Sequence, residues 1–406
     1  MQVLIYTHAF PPMVGGIETI TMELAQNLVR IANVRSNDAV QVTVVTPKAA
    51  IGADERDLPF TIVRQPSLTR LANMIRRADI LHVAGTDMLP LLLGWLLGKR
   101  TVVEHHGFQT ACPNGQMIFE PKQAPCPGHY MAGNHLRCLK CNTAGGTIHT
   151  LRRWLLTSPR RWLCSRAQAN VLPTAWLGSV LQLPKMVTIH HGLPARKIAV
   201  SSRVAGPPSI VFLGRLVSTK GVHVLLQAVH KLPDSDFRLN ILGDGPERGR
   251  LEADVKSLGI ESRVSFRGYL PANEVEQFLA DARAVVMPSL GGEVFGLVAL
   301  ENMLRKKVLI VSDIGALTEV VGDAGLSFPA GDAQALAGCL RRVLHSRELS
   351  DELGIKAFGR ARSLFTLERM VTDHLALYRM VLGNFPTTTA GLDSLVVAQS
   401  QDSGSY

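Results

Sequence analysis

Strands of nearly continuous apolar residues recur along this chain, each followed by a loop and an amphipathic helix, and the series runs twice. VLIYT (3–7), VQVTVVTP (40–47), ILHVAG (80–85) and TVVEHH (101–106) make the first series, with the helical stretch ETITMELAQNLVRI (18–31) after its first strand. SIVFLG (209–214), RLNILGDG (238–245), RVSFRGYL (263–270), RAVVMPS (283–289) and KVLIVSD (307–313) make the second. A strand with no polar face must be covered on both sides, which is the condition of a parallel sheet between layers of helices. At 406 residues the chain exceeds one ordinary core. Two Rossmann-like doubly wound α/β domains are predicted, with any ligand beyond the carboxyl ends of the strands, in a cleft that the two domains share.

The stretch LPARKIAVSSRVAGPP (193–208) breaks this rhythm with Pro, Gly, Ser and Arg and predicts the linker. The domains then span 1–196 and 197–365, followed by a helix within 366–385. From Pro386 the sequence is rich in Thr, Ser, Gly and Gln and reads as a disordered tail, 386–406. The N-terminus lacks a basic region followed by a long apolar one, so no cleaved signal is expected. The apolar run MLPLLLGWLLG (88–98) falls short of the ~20 residues that a spanning helix needs. The expectation is a soluble, cytoplasmic chain. Its 43 Lys+Arg against 33 Asp+Glu give a net charge of +10, which favours anionic partners such as nucleotide phosphates or anionic lipid.

Chemistry-bearing residues gather at the strand ends of the second series. In FLGRLVSTKG (212–221), Gly214 lets the backbone approach a ligand while Arg215 and Lys220 can grip one diphosphate. ILGDGPERGRLE (241–252) is a second glycine-rich strand end, at Gly243. In PSLGGEVFGLVALENMLRK (288–306) a helix begins near Phe295-Gly296, and its first amides suit a phosphate. Glu293 and Glu301 lie eight residues apart, roughly 12 Å along a helix, which suits a sugar at one and a ribose at the other. Taken singly, each feature also reads as a tight turn, a helix cap or a solvated face residue.

Taken in order, GRLxxxKG, LGDGP, FRGYL and PSxxGExFGLxxLE resemble the retaining family 4 glycosyltransferases, the glycosyl transferases group 1, which have the GT-B fold. VGGIE and VVEHHG match that family too, and the resemblance runs from about residue 1 to 383. It implies a metal-independent hexosyltransferase that moves sugar from a UDP- or GDP-type nucleotide sugar to a glycan, glycolipid or lipid-linked acceptor, in polysaccharide or cell-envelope synthesis. Arg215 and Lys220 would hold the donor diphosphate and offset charge on the leaving nucleotide. Glu301 would take the ribose, and Glu293 the transferred sugar, helped by the amides of Phe295, Gly296 and Leu297. The loop at Gly268-Tyr269 would lie near the base. His106 matches the family histidine beside the reacting sugar, whereas His105 and the pair His190-His191 read as structural. Gly15 and Gly16 would bring a backbone amide to the donor phosphate when the domains close, with Glu18 holding the helix start. The helix at 366–383 would cross back to the N-terminal domain.

One departure stands out. The family commonly reads E-A-M-A-x-G where this chain has Glu301-Asn302-Met303-Leu304-Arg305-Lys306, so a lysine occupies the glycine position. If that turn is left-handed, a side chain there costs about 1 kcal/mol. Same-fold alternatives are a nucleotide-sugar epimerase or a phosphorylase, although no pyridoxal-phosphate lysine signature is present. A non-enzyme alternative is a basic, Cys-rich binding protein on a GT-B scaffold.

Within the first domain the insert at 111–141 places Cys112, Cys126, Cys138 and Cys141 with gaps of thirteen, eleven and two. The Cys138-x-x-Cys141 knuckle with the other two thiols suits a structural zinc or an iron cluster, or the four are simply reduced thiols in an irregular loop. Some bacterial members of the family carry a similar insert. LRRWLLTSPRRWLCSR (151–166) holds five arginines, two tryptophans and no acid. It suits the surface of an anionic membrane, placing the chain on the inner face of the plasma membrane, or else it is a basic helix covering the sheet. With no nucleic-acid fold signature, nucleic acid is not an expected partner.

Overall fold

The computed structural model describes residues 1–13, 15–35, 39–49, 55, 57–141, 145–194 and 207–383. Most of the expected linker, the domain boundary at 196/197 and the tail at 386–406 lie outside these residues. The chain divides into two compact units. The first comprises 1–115, 144–194 and 366–406, and the second 116–143 and 195–365.

The first unit is built on seven parallel strands. These are β1 (Gln2–Thr7), β2 (Gln41–Thr46), β3 (Thr61–Arg64), β4 (Ile80–Ala84) and β5 (Thr101–Glu104). After the hairpin strands β6 (Ile118–Phe119) and β7 (Ala124–Pro125), which belong to the second unit, come β8 (Ala169–Leu172) and β9 (Met186–Thr188). The order β3-β2-β1-β4-β5-β8-β9 puts β4 at the centre with β1 beside it, and every residue of β4, β5 and β8 is buried. The last helix, Leu367–Leu382, starts at Thr366, whose hydroxyl accepts from the Arg369 amide at 3.2 Å, and packs on the helix Gly16–Arg35. Gly192 runs so close to Thr366 that a Cβ would stand 2.2 Å from its carbonyl oxygen. That contact seats the start of the last helix on the end of the sheet.

The second unit repeats the plan with β10 (Ser209–Leu213), β11 (Arg238–Leu242), β12 (Val264–Gly268), β13 (Ala282–Met287), β14 (Val308–Ser312) and β15 (Leu326–Phe328). All six pair in parallel, in the order β12-β11-β10-β13-β14-β15. The two doubly wound α/β units expected from the apolar strands are therefore present, and each strand series returns to its own centre as a Rossmann sheet does.

The Cys-rich insert departs from expectation. The described residues from 116 to 141 belong to the second unit. The reason is apolar: Ile118 is buried in the core cluster of the second unit. Backbone bonding follows, since the Gly292 amide donates to the Gln116 carbonyl at 2.6 Å.

Candidate functional site

At the carboxyl end of the second sheet, three strand-end glycines lie side by side. The Gly214 amide donates to the Leu242 carbonyl at 3.0 Å, and the Gly243 amide to the Gly268 carbonyl at 2.8 Å. A Cβ on Gly243, at φ 136°, would stand 1.9 Å from the Gly214 oxygen, so no other residue fits. Beyond Gly214 comes the exposed Arg215, then a single turn Ser218–Lys220. The turn is drawn onto the loop after β13, where the Leu290 amide donates to the Thr219 carbonyl at 2.7 Å.

This docking brings Lys220 to Glu293. The lysine Nζ donates to Glu293 Oε1, which also accepts from Ser289 Oγ at 3.0 Å. Glu293 is buried, and its loop is braced from below by the insert through Gln116. Phe295 anchors the loop edge-on against Phe365, at 5.4 Å between ring centres. The helix that follows is Leu297–Met303, so its first amides come from the residues at 296–298, next to Glu293. One turn along, the Glu301 carboxylate lies 4.0 Å from Arg305, whose guanidinium also donates to Glu276 at 3.1 Å. Tyr269, expected near a base, is 70% exposed. Asn302 is turned the other way, its amide donating to the Val298 carbonyl at 2.7 Å inside the helix. Lys306 does adopt the left-handed conformation, φ 57°, with its ammonium 5.0 Å from the Phe358 ring centre.

In the first unit, the helix Gly16–Arg35 begins at the glycine pair, and the Gly15 carbonyl accepts from both the amide (3.1 Å) and the hydroxyl (3.0 Å) of Thr19. The Glu18 carboxylate lies against Gly15, where a Cβ would meet Oε2 at 2.5 Å. His106, just past β5, stands 3.5 Å from Glu104 Oε2 and stacks on His191 with ring centres 5.4 Å apart. His105 turns into the sheet and pairs with Asn170 Oδ1 at 2.9 Å.

Glu104 itself was not singled out by the sequence. It is fully buried and faces four imidazoles: His82 at 3.1 Å, His106 at 3.5 Å, His191 at 3.6 Å and His374 at 4.0 Å. Burial alone would raise its carboxyl, but His106 beside it, with His82 and His374, holds it well below the usual carboxylate range. Burial pushes His191 down to about 3 and His105 and His374 to about 4. The available signal was a carboxylate and a histidine standing inside otherwise apolar strands, TVVE and ILHVA.

The metal site expected of the four cysteines gains no support. Among the described residues, the groups of three or more ligand atoms close enough to share an ion are made of His and Glu alone. Cys112 Sγ donates to Asn114 Oδ1 at 2.9 Å, Cys141 Sγ to the Ile118 carbonyl at 3.9 Å, and Cys126 is half-buried. No cysteine is in a disulfide. The basic segment is also partly internal. Arg160 donates to the Thr86 and Gln109 carbonyls, and Arg161 to those of Leu181 and Gln182, leaving Arg152, Arg153 and Arg166 exposed. Among the described residues, no helix is long and apolar enough to cross a membrane.

Comparison with known proteins bears on this site. A family model described as "Glycosyl transferases group 1" matches residues 195–360, the span that carries Arg215, Lys220, Glu293 and Glu301. The chain is 33% identical over 264 residues to the 2-deoxystreptamine glucosyltransferase of Streptomyces kanamyceticus, covering 58% of this chain and 67% of that one. It is 29% identical over 237 residues to the glycogen synthase of Mycobacterium tuberculosis, covering 57% of this chain and 56% of the relative. Among solved structures, Anabaena HepE in complex with UDP superposes with a TM-score of 0.71 at 16% identity, covering 94% of this chain and all of that one. That likeness establishes the GT-B fold.

Proposed function

Since the chain belongs to the glycosyl transferases group 1, we propose that it is a retaining glycosyltransferase that moves a hexosyl group from a nucleoside diphosphate sugar to a hydroxyl of a glycan or lipid-linked acceptor. In this reading the acceptor oxygen bonds to the anomeric carbon as the bond from that carbon to the diphosphate oxygen breaks. The hydroxyl proton passes to the departing phosphate on the same face. Arg215 and Lys220 offset the charge that builds on that phosphate, so the step draws on side-chain cations and no metal. Glu293 and the amides of Phe295, Gly296 and Leu297 hold the sugar, Glu301 takes the ribose, and Tyr269 flanks the base. His106 stands beside the reacting sugar. The observation that carries the reading is the meeting of Lys220 with Glu293 at the carboxyl end of the second sheet, where a Rossmann sheet takes its ligand. Neither the epimerase nor the non-catalytic reading gains support, because the named relatives are transferases and a glycan synthase.

The acceptor is proposed to lie at a cytoplasmic membrane surface. Trp95 and Trp162, 47% and 42% exposed, meet edge-on at 5.0 Å, so the helices Met88–Leu96 and Gly146–Arg166 present one apolar face. Leu92, Leu96 and Leu155 extend it, and Arg152, Arg153 and Arg166 supply the charge for anionic lipid.

Thermal-shift screening with UDP-, GDP- and ADP-sugars, followed by hydrolysis assays, tests the donor half. One nucleotide should raise Tm, and Lys220→Ala should remove both the shift and the turnover. Unchanged turnover in that variant would sink the diphosphate clamp.

A further inference from the structure

The residues around Glu104, His106 apart, are arranged in a way that the transferase reading leaves unused. The carboxylate ends β5 with no exposure, and the histidines that face it come from β4, the loop after β5, the segment after β9 and the last helix. Only His82 is within ordinary hydrogen-bond reach, at 3.1 Å from Oε2, and its other ring nitrogen meets the Tyr378 hydroxyl at 2.8 Å. His106 Nε2 lies 3.5 Å from Oε2, and His191 Nδ1 lies 3.6 Å from Oε1. Glu104 Oε1, His106 Nε2 and His374 Nε2 are buried without a hydrogen-bond partner. Buried polar atoms are rarely left so, because each unmade bond costs about 1–3 kcal/mol.

We propose that Glu104, His106 and His191 hold a divalent transition-metal ion of the zinc class. Their ligand atoms lie within 4.8 Å of one another. Zinc bonds nitrogen at about 2.0–2.1 Å and carboxylate oxygen at about 2.0–2.2 Å, which sets neighbouring ligand atoms of a tetrahedron about 3.3–3.5 Å apart. The separations of 3.5 and 3.6 Å match that edge and are long for hydrogen bonds. His106 flanks one carboxylate oxygen and His191 the other, so an ion against the carboxylate edge reaches both rings. Two imidazoles and a carboxylate are a donor set for zinc, not for magnesium or calcium. The outer contacts that such a site requires are in place: His82 donates to the carboxylate and is itself oriented by Tyr378. His374 Nε2, 4.0 Å from Glu104 Oε1, groups with His82 and not with the two ligand rings, and His105 is committed to Asn170, so the remaining position is left to a water or a substrate atom. The site shares only His106 with the transferase reading and uses none of Arg215, Lys220, Glu293 or Glu301, so it stands or falls separately.

The test uses full-length protein purified without chelator, then stripped and reloaded with Zn²⁺ or Co²⁺ alone. The expected result is about one ion per chain, a Tm raised on reloading, and a Co²⁺ visible band of tetrahedral type without sulfur-to-metal charge transfer. His191→Ala and Glu104→Gln should each weaken Co²⁺ binding about tenfold or more, and a Cys138→Ser/Cys141→Ser variant should bind as wild type. His106→Ala, at the less buried edge of the group, serves if the other two fail to fold. Folded wild-type protein that shows neither a Tm shift nor a Co²⁺ band overturns the site and leaves Glu104 as an acceptor for imidazole protons. A band with sulfur charge transfer overturns it as well, by assigning the ion to cysteine.

Discussion

Lys220 and Ser289 converge on one oxygen of Glu293, so the cation proposed for the donor diphosphate is held by the carboxylate proposed for the donor sugar. A bound diphosphate would compete for the ammonium and release Glu293 toward the sugar, linking occupancy of one subsite to the readiness of the other. Double-mutant analysis reads this directly. Lys220→Met alone should destabilise by about 1–2 kcal/mol, less than the about 3–5 kcal/mol of a fully buried pair, since the Lys220 side chain is 28% exposed. Adding Glu293→Gln should recover much of that loss, with a coupling of about 1 kcal/mol by urea titration. Strictly additive effects would show that the pair is incidental.

Lys306→Gly should stabilise the protein. The lysine holds φ 57°, where a Cβ costs about 1 kcal/mol, and its contact with Phe358 returns part of that. A net gain of about 0.5 kcal/mol is expected in denaturant midpoints, with the urea m-value unchanged. A loss would mean that the cation over Phe358 outweighs the strain.

Two glycines near each other in sequence should behave in opposite ways. Gly243→Ala forces a Cβ to 1.9 Å from a backbone oxygen and should cost about 3 kcal/mol or more, or prevent folding. Gly249, inside the helix Arg248–Ser257, has nothing within 4 Å of its Cβ position. Gly249→Ala should therefore stabilise by about 0.5–1 kcal/mol in thermal melts.

Thiol reactivity should be ordered by burial. Burial pushes Cys164 up to about 12 despite Arg160 and Arg161 nearby, so it carries almost no thiolate at pH 8. Alkylation of native protein at pH 8, mapped by mass spectrometry, should label half-buried Cys126 first and Cys164 last. Early labelling of Cys164 would contradict the buried placement of the helix that carries it.

The long apolar strands were legible because burial on both faces leaves few residue types to choose from, and β1, β2, β4, β10, β11, β13 and β14 fall where the pattern puts them. The edge strands β3, β9 and β15, of three or four residues, and β8 between β5 and β9, are too short to rise above their loops. Lys220, Glu293 and Ser289 lie on two loops whose meeting depends on glycine backbones, and the motif spacing anticipated their neighbourhood but not the ion pair. The insert joins the second unit although it interrupts the first, because position in the chain carries no information about which core Ile118 will enter. The Glu104 group was hidden for a similar reason: His82 and His374 are 292 residues apart in the sequence, and no local pattern joins them.

The first unit is assembled from three separate stretches of chain, the last beginning at residue 366. During synthesis, its sheet strands are all made by Thr188, yet the helix Leu367–Leu382 emerges only after the whole second sheet. Until then His374, which faces the Glu104 carboxylate, and Tyr378, which orients His82, are missing. The order of translation thus makes the unit that begins first the last to have all its segments.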